Sequence, residues 1–443
     1  MVDRKIRYTY RLRPSVSAEQ YLVSEWGKCR FVWNMLVAES RHRHSSRRSF
    51  ADAGIDTTWW DAKHEKHRES FEFGAAEADK LLTLLRRNTS DAETGHKWLA
   101  EGSSVAQQQT VRDFSAARQK AVMDRKNKIP VAQRRGLPNF KSKDTARASM
   151  NYTSRGFSLE DPGTDSNYRL ILPGGASIPV VTSRRMINAA GSVRVYQDSL
   201  GHWYASFTTT EPFRAMGAPH LDSALGVDWG VTETATTAVV DTSTGAIDEA
   251  ATYDLPHHEY GKRNHKEVVK AERRLARRRK PKGHRQSHGY RKAKFLAARA
   301  KKKAARQRKD TANKWAKKTA VENPRIAVED FRPRFLSKTT MAKKAADAAI
   351  SATKTALIWQ ATKSGTDVRL VHPANTTTDC ANCDARTKHR LPLGQRTYTC
   401  QECGVSRPRD KNSAAVMVAR AGFAPASAEG MKSSSPAAVQ EAA

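Results

Sequence analysis

The core of this chain is predicted from two short runs, Ala224-Leu-Gly-Val-Asp228 and Arg325-Ile-Ala-Val-Glu329. Each is a short apolar segment with β-branched residues, which predicts a buried strand, and each ends in an acid. Buried strands would hold both carboxylates rigidly at the strand ends. Further strands are predicted at 232–240, at 250–255 and in Val368-Arg-Leu-Val371.

Composition limits the classes to which the protein can belong. The 443 residues favour two or three domains, and 78 Lys and Arg against 45 Asp and Glu give a net charge of +33. Such a surplus calls for a polyanionic partner, most commonly nucleic acid. A hydrophobic fraction of 38% is enough to build cores, so a disordered polycation is disfavoured.

Targeting signals and redox chemistry point to the cytoplasm. No run approaches 18 consecutive apolar residues, and the charged first 13 residues do not resemble a secretory signal. Four of the five cysteines are bunched between Cys380 and Cys403, which is no disulfide framework. We therefore expect an intracellular, cytoplasmic protein.

The first half of the chain has a helical pattern followed by a pattern of short strands. Residues 5–13 alternate as a strand, and Leu22, Trp26, Cys29, Trp33 and Leu36 then form one apolar helix face. Residues 41–128 are mostly helical in pattern, which suits a nucleic-acid groove and a plain helical bundle equally well. Short runs at 168–172, 192–196 and 203–208 predict a small antiparallel β-module that the strand at 5–13 completes.

The second half alternates strands with helices. Residues 262–309 form a long helical stretch with 22 Lys and Arg against Glu267 and Glu272. Helices are also predicted at 340–364 and 411–421, and the Ala-, Ser- and Pro-rich residues after about 422 predict a disordered tail.

Cys380-Ala-Asn-Cys383 and Cys400-Gln-Glu-Cys403, sixteen residues apart, have the spacing of a four-cysteine zinc ribbon. Two redox CxxC pairs are the alternative, but one shared metal explains both pairs together. Four thiolates leave no open coordination position, so the expected role of the zinc is structural. Cys29 lies on the apolar helix face and is expected to be a core thiol.

Three acids are candidates for a catalytic magnesium site: Asp228, Glu329 and Asp410. Mg²⁺ prefers oxygen ligands, and two ions can hold the attacking water and the departing oxygen of a phosphodiester. Each acid also has a structural interpretation. Asp228 could cap the turn at Trp229-Gly230, Asp410 could be the N-cap of the last helix, and strand alternation alone does not choose between Glu329 and Asp330.

These residues in this order resemble the TnpB (OrfB) family of transposon-encoded nucleases and its relatives, the miniature type V CRISPR effectors. The matching motifs are Gly226-Val-Asp-Trp-Gly230, Ala327-Val-Glu-Asp-Phe331, Thr376-Thr-Thr-Asp-Cys380 with the zinc ribbon, Arg409-Asp-Lys-Asn-Ser-Ala414, Lys28-Cys-Arg-Phe-Val-Trp-Asn34 and Leu137-Pro-Asn-Phe-Lys141. The resemblance covers nearly the whole chain except the tail.

The fold that this resemblance implies is multidomain α+β, with an RNase H-like (RuvC) α/β nuclease domain, an inserted zinc ribbon, a wedge-like β-barrel and a helical recognition lobe. The implied domains are a first wedge strand at 1–15, the helical lobe at 16–130, the wedge module at 131–215, the RuvC domain at 216–375 with its basic helical segment at 262–322, the zinc ribbon at 376–408, the last RuvC helix at 409–422 and a disordered tail at 423–443.

The implied function is RNA-guided DNA cleavage. By resemblance, Asp228, Glu329 and Asp410 are the Mg²⁺ ligands, Cys380, Cys383, Cys400 and Cys403 bind Zn²⁺, and the partners are a guide RNA and target double-stranded DNA. The chain departs from the family pattern at Trp229, where smaller residues are common, and at Pro408, where an Asp is frequent. Two alternatives remain: a DNA-only transposase or junction nuclease on the same scaffold, and a guide-dependent binder that does not cleave.

Overall fold

A computed structural model describes residues 3–52, 73–163, 167–212, 222–248, 250–281, 283–389, 391–392 and 394–424. The chain divides into two compact units, one over Lys5–Glu211 and one from Pro212 on. No helix in these described ranges combines the length and the apolar character needed to cross a bilayer. The disordered tail predicted at 423–443 is wrong for Phe423 and Ala424, which are buried in a core. Residues 425–443 lie outside the described chain.

The first unit contains a seven-stranded sheet. Its strands are β1 (Asp3–Leu12), β2 (Ser149–Thr153), β3 (Ser158–Glu160), β4 (Arg169–Leu172), β5 (Ala176–Val181), β6 (Ala190–Gln197) and β7 (Trp203–Pro212). They lie in the order β2-β6-β7-β1-β5-β4-β3. The N-terminal strand therefore completes the β-module from its centre, as the sequence predicts. In the described pairings β2 and β3 lie at the two edges of this half-barrel sheet, which agrees with the wedge-like β-module that the resemblance implies.

Helices α1 (Val16–Asp52), α2 (Ala75–Asn88) and α3 (Ser104–Lys126) accompany this sheet. Ser15 begins α1, since its Oγ accepts a hydrogen bond from the backbone N–H of Ala18 at 3.2 Å. The apolar face predicted on α1 is buried at Leu22, Cys29 and Leu36. The three helices share one core with Phe114 at its centre.

The second unit is built on a six-stranded sheet. Its strands are β8 (Ser223–Trp229), β9 (Glu233–Asp241), β10 (Ile247–Asp248), β11 (Leu255–Pro256), β12 (Arg325–Glu329) and β13 (Asp367–Val371). The order is β10-β9-β8-β12-β13, with β11 beside β9. Strands β8 and β9 are antiparallel, whereas β8, β12 and β13 are parallel, which is the RNase H-like arrangement. The strand predicted at 250–255 is reduced to the two residues of β11.

Helices cover both faces of this sheet. They are α4 (Tyr260–Arg263), α5 (His265–Ala276), α6 (His288–Glu322), α7 (Ala342–Ala348), α8 (Ile350–Ser364) and α9 (Arg409–Arg420). Ala224 and Ala327 pack with α9 on one face, while Leu225 and Val328 pack with α6 and α8 on the other. Because both faces of these strands are buried, successive residues are apolar on either side, and the strand sequences are continuous apolar runs.

Two helical predictions need correction. The stretch predicted at 262–309 is divided into α4, α5 and the longer α6. The helix predicted at 340–364 is broken into α7 and α8 at Ala349, whose φ of 54° lies in the left-handed region. No Gly or Pro marks this break in the sequence.

The cysteine-rich segment between β13 and α9 carries a hairpin of β14 (Thr397–Thr399) and β15 (Ser406–Pro408). Tyr398 is fully buried there and packs with Cys380 and Cys400. The hairpin ends directly at the first residue of α9.

Candidate nuclease site and metal centre

Asp228 and Glu329 lie side by side at one edge of the RNase H-like sheet. They end the parallel neighbours β8 and β12, whose register pairs Val227 with Val328. Because side chains alternate along a strand, both acids face the side on which α9 packs, together with Ala224 and Ala327. Glu329 is buried and Asp228 is half-buried, with its carboxyl group directed into the site.

Asp410 joins this group from α9, which packs against β8, β9 and β12. It is not the N-cap of the helix: α9 begins at Arg409, Pro408 occupies the cap, and Asp410 lies in the first turn. Its carboxylate lies 3.3 Å from Arg409 Nε and 3.9 Å from Arg396 Nη1. The capping interpretation of Asp410 is therefore wrong.

The electrostatics of the three acids favour a cation. Burial raises the pKa of Asp228 well above its usual 3.8, and the negative charges of Glu329 and then Asp410 raise it further. Burial also raises the pKa of Glu329, although hydrogen bonds from the Trp229 backbone and Asp228 oppose that shift. Carboxylates that repel one another in this way are the hard oxygen donors that Mg²⁺ prefers, so the residues fit a divalent ion.

Asp330 is turned away from this group. It follows the last residue of β12, on the side of the sheet where α8 packs, and its carboxylate pairs with Lys354 Nζ at 2.5 Å and Arg332 Nη2 at 3.1 Å. Partial burial works to raise its pKa, but the Lys354 and Arg332 contacts outweigh burial and leave the pKa below its usual value. The structure thus brings Glu329 to Asp228 and gives Asp330 a structural ion pair.

Trp229 holds Glu329 in place and is a site residue that the sequence did not reveal. Its backbone N–H donates to Glu329 Oε2 at 3.3 Å, and its indole Nε1–H donates to the Glu329 carbonyl oxygen at 3.2 Å. The ring is buried and meets Trp315 of α6 edge to face, 6.1 Å between centroids. The signal in the sequence was the size of this residue, since the family pattern commonly has a smaller residue directly after the first acid.

The four cysteines of the two CxxC pairs form one cluster. Their four sulfur atoms all lie within 4.8 Å of one another, and no other group of three or more His, Cys, Asp or Glu in the described residues is as compact. The three acids are therefore more widely spread than the cysteines. Cys380 Sγ lies 3.7 Å from Cys403 Sγ, and Cys383 Sγ lies 3.5 Å from Cys400 Sγ. A tetrahedral zinc–thiolate site with Zn–S bonds of about 2.3 Å requires sulfurs about 3.8 Å apart. The cluster therefore fits one metal ion.

Cys29 is separate from this cluster. It is 1% exposed on α1, and burial raises the pKa of its thiol to about 12. An uncharged buried thiol is a core residue, as the sequence predicts.

The second unit is thus an RNase H-like domain with converging acids and a four-cysteine ribbon, and family comparisons match that class. The model described as a helix-turn-helix domain of OrfB proteins matches residues 1–49, the OrfB probable transposase model matches 218–339, and the Cas12f1-like TNB domain matches 351–417. These matches confirm the resemblance to the OrfB (TnpB) family. Over 1–49 the described residues form β1 and the uninterrupted helix α1.

Two curated proteins align with almost the whole chain. A Streptomyces pristinaespiralis protein, provisionally named an RNA-guided DNA endonuclease, is 27% identical over 439 residues, which are 98% of this chain and 93% of that protein. InsQ of Escherichia coli (strain K12), with the same provisional name, is 23% identical over 423 residues, 92% of this chain and 90% of InsQ.

Two solved structures overlap with most of the chain at TM-scores below 0.5. A Cas12f1–sgRNA–target DNA complex gives a TM-score of 0.48 at 13% identity, covering 96% of this chain and 99% of the Cas12f1 chain. The mini-RNA-guided endonuclease CRISPR-Cas_phi3 gives 0.46 at 11% identity, covering 95% and 92%.

Proposed function

We propose that the protein is an RNA-guided DNA endonuclease. It binds a structured guide RNA, recognises a short motif beside the target and cleaves DNA phosphodiesters at one Mg²⁺-dependent RuvC site. The observation that carries this proposal is the placement of Asp228, Glu329 and Asp410 around one edge of an RNase H-like sheet. The end-to-end alignment with two proteins named as RNA-guided endonucleases supports the choice of substrate.

The three carboxylates would hold the divalent ions. Bound Mg²⁺ supplies a lowered water pKa and stabilises the charge that develops on the leaving oxygen. Two hydrogen bonds from Trp229 fix the position of Glu329 before any ion binds. Asp228 forms a hydrogen bond with the Glu329 side chain. Asp410 is partly exposed and paired with Arg409, so it would turn from this arginine toward the ions.

The cysteine cluster would hold a structural Zn²⁺. Four thiolates suit zinc and fill its coordination sphere, so no position is left for substrate. The ion would replace a hydrophobic core in the small ribbon, where the described core consists of Tyr398 and its neighbours.

The basic surface would bind the nucleic acids through their phosphates. The net charge of +33 and the Lys- and Arg-rich helices α5 and α6 provide the electrostatic attraction. In this class of recognition, base pairing with the guide selects the sequence, while the protein contacts backbone shape and a short adjacent motif.

The proposal is tested by purifying the full chain from its host and sequencing the RNA that copurifies. The purified complex is then incubated with double-stranded DNA that pairs with this RNA, next to randomised flanking sequence, with and without Mg²⁺. We expect one enriched RNA species and cleavage that follows the guide, a flanking motif and Mg²⁺. Asp228→Ala is expected to abolish cleavage while target binding persists.

Two other outcomes would redirect the proposal. Cleavage that is independent of the copurified RNA would identify a DNA-only transposase or junction nuclease. Guided binding without cleavage by the wild-type chain would identify a protein that acts by occupying its target.

A further inference from the structure

Asn412 connects the last helix to the cysteine cluster. It is fully buried in the first turns of α9, two residues after Asp410. Its Oδ1 accepts a hydrogen bond from the backbone N–H of Ala381 at 3.1 Å, and its Nδ2–H donates to the carbonyl oxygen of Asp379 at 2.7 Å. Both partners are the immediate chain neighbours of Cys380.

The backbone that Asn412 contacts belongs to the turn that presents Cys380 and Cys383. The N–H of Asn382 points to Cys380 Sγ at 3.4 Å, so this turn is organised around the sulfur. A metal held by these thiolates fixes the turn, and thereby fixes the two groups to which Asn412 is bonded.

The same helical turn is tied to the ribbon a second time through Arg409. Its backbone N–H donates to the Arg396 carbonyl oxygen at 2.8 Å, and its Nη1 donates to the Pro392 carbonyl oxygen at 3.3 Å. Asp410 therefore lies between two residues, Arg409 and Asn412, that each form hydrogen bonds to the ribbon. A shift of one or two ångströms in this turn is enough to disturb ion binding, since catalytic ligands must be held within about 0.5 Å.

We infer that Asn412 is a positioning residue that couples metal occupancy of the cysteine cluster to the placement of Asp410. This inference rests on the proposed function, because it assigns Asp410 to the Mg²⁺ site. A buried amide with both of its groups satisfied specifies the position of the helix more narrowly than an apolar side chain of the same size.

The test compares Asn412→Ala with Arg420→Gln in the full-length, zinc-loaded chain. Arg420 ends α9 and also contacts the ribbon, through the Asp379 carboxylate and the Ala374 carbonyl oxygen, but it lies at the opposite end of the helix from Asp410. Zinc content is measured by elemental analysis, and Mn²⁺, which reports the acid site, by isothermal titration.

We expect both variants to keep their zinc. Asn412→Ala should weaken Mn²⁺ binding roughly 10- to 100-fold, the usual range for loss of a group that orients a metal ligand. Arg420→Gln should leave Mn²⁺ binding near the wild-type value. Hydrogen exchange of the first turn of α9 should be faster in Asn412→Ala alone, and this readout needs no bound ion at the acids.

A double-mutant cycle with Cys403→Ser tests the coupling itself. Cys403 is exposed, so its replacement removes a zinc ligand without leaving a cavity. If the ribbon acts on Asp410 through Asn412, the losses in Mn²⁺ affinity from the two substitutions should not add.

Several outcomes would overturn the inference. They are unchanged Mn²⁺ affinity in a folded Asn412→Ala chain, equal losses in both α9 variants, and fully additive losses in the cycle. A wild-type chain that binds no Mn²⁺ would overturn the inference together with the proposed magnesium site. If the wild-type chain cleaves its guided target and Asn412→Ala binds Mn²⁺ as wild type does, the inference is wrong but the proposed function stands.

Discussion

The carbonyl oxygen of Ala414 lies 1.8 Å from the point that a Cβ atom on Gly226 would occupy. Gly226 is two residues before Asp228 on β8, and Ala414 is four residues after Asp410 on α9. The missing side chain therefore lets strand and helix approach closely enough for their acids to share one site. This is a contact between backbones, which cannot be relieved by a change of rotamer.

Replacement of Gly226 by Ala should separate β8 from α9. The added Cβ would overlap the Ala414 carbonyl group, and overpacking of this kind costs about 1–3 kcal/mol. We expect a lower melting temperature, weaker Mn²⁺ binding and loss of cleavage.

Gly27→Ala is the matched control, since a Cβ on Gly27 of α1 meets no heavy atom within 4 Å. Ala favours helix by up to about 1 kcal/mol over Gly, so this variant should be as stable as wild type or more stable. A Gly226→Ala chain with wild-type stability and Mn²⁺ affinity would contradict the close approach of β8 and α9.

Asp228→Asn should stabilise the chain when divalent ions are chelated. The pKa of Asp228 is raised on folding, so the folded state holds this proton more tightly than the unfolded state. The associated stability is present at low pH and lost as pH rises through the folded pKa. The variant should therefore melt above wild type at pH 7.5, and the difference should shrink toward pH 4. Added Mg²⁺ should raise the melting temperature of wild type more than that of the variant.

Asp330→Asn provides the control of opposite sign. Its pKa is lowered by Lys354 and Arg332, so its contribution to stability is present at neutral pH and lost as pH falls. This variant should melt below wild type at pH 7.5. If both substitutions shifted the melting temperature in the same direction, the placement of Asp228 among repelling acids and of Asp330 in an ion pair would be wrong.

Trp229→Phe should loosen Glu329 without emptying the core. The variant loses the indole hydrogen bond to the Glu329 carbonyl, worth about 0.5–1.5 kcal/mol, and keeps an aromatic ring against Trp315. We expect weaker Mn²⁺ binding and slower cleavage, measured by isothermal titration and single-turnover assays.

Trp33→Phe removes an equivalent bond, from the indole N–H to the Asn139 carbonyl oxygen at 2.9 Å, in the first unit of the chain. It should reduce stability by a similar amount and leave Mn²⁺ affinity unchanged. Equal effects of the two variants on Mn²⁺ affinity would show that Trp229 has no specific role at the acids.

The cysteine cluster should bind about one zinc ion per chain. Cys380→Ser is expected to reduce the zinc measured by elemental analysis and to lower the melting temperature, because structural zinc contributes folding free energy. Cys29→Ser should retain the zinc, since Cys29 is a buried thiol of α1. Full zinc retention in Cys380→Ser would place the metal elsewhere.

Much of the second unit follows from local sequence pattern. The apolar runs that end in Asp228 and Glu329 form β8 and β12, and the CxxC spacing predicts the thiol cluster, because both signals lie within a few neighbouring residues. The strand pattern alone did not choose between Glu329 and Asp330, and only the family resemblance favoured Glu329 before the face of β12 that meets α9 was known. Alternation gives the two faces but does not say which one carries the site.

Other features depend on contacts between distant segments. The Trp229 and Asn412 hydrogen bonds join residues far apart in the chain, so no local pattern reports them. The break at Ala349 has no Gly or Pro to mark it, and it coincides with hydrogen bonds from the backbone of α4 to Asp347, two residues earlier.

The order of elements has a consequence for how such proteins diversify. The sheet and α9 carry the acids, whereas the basic helices and the ribbon are inserted between β11 and β12 and between β13 and α9. Lengthening a connecting segment adds only about 0.6 kcal/mol of closure entropy per doubling. Parts of these inserts that contact neither the sheet nor α9 can therefore change in length while the acids keep their positions. A lineage can thus alter how it holds its nucleic acids without rebuilding its chemistry.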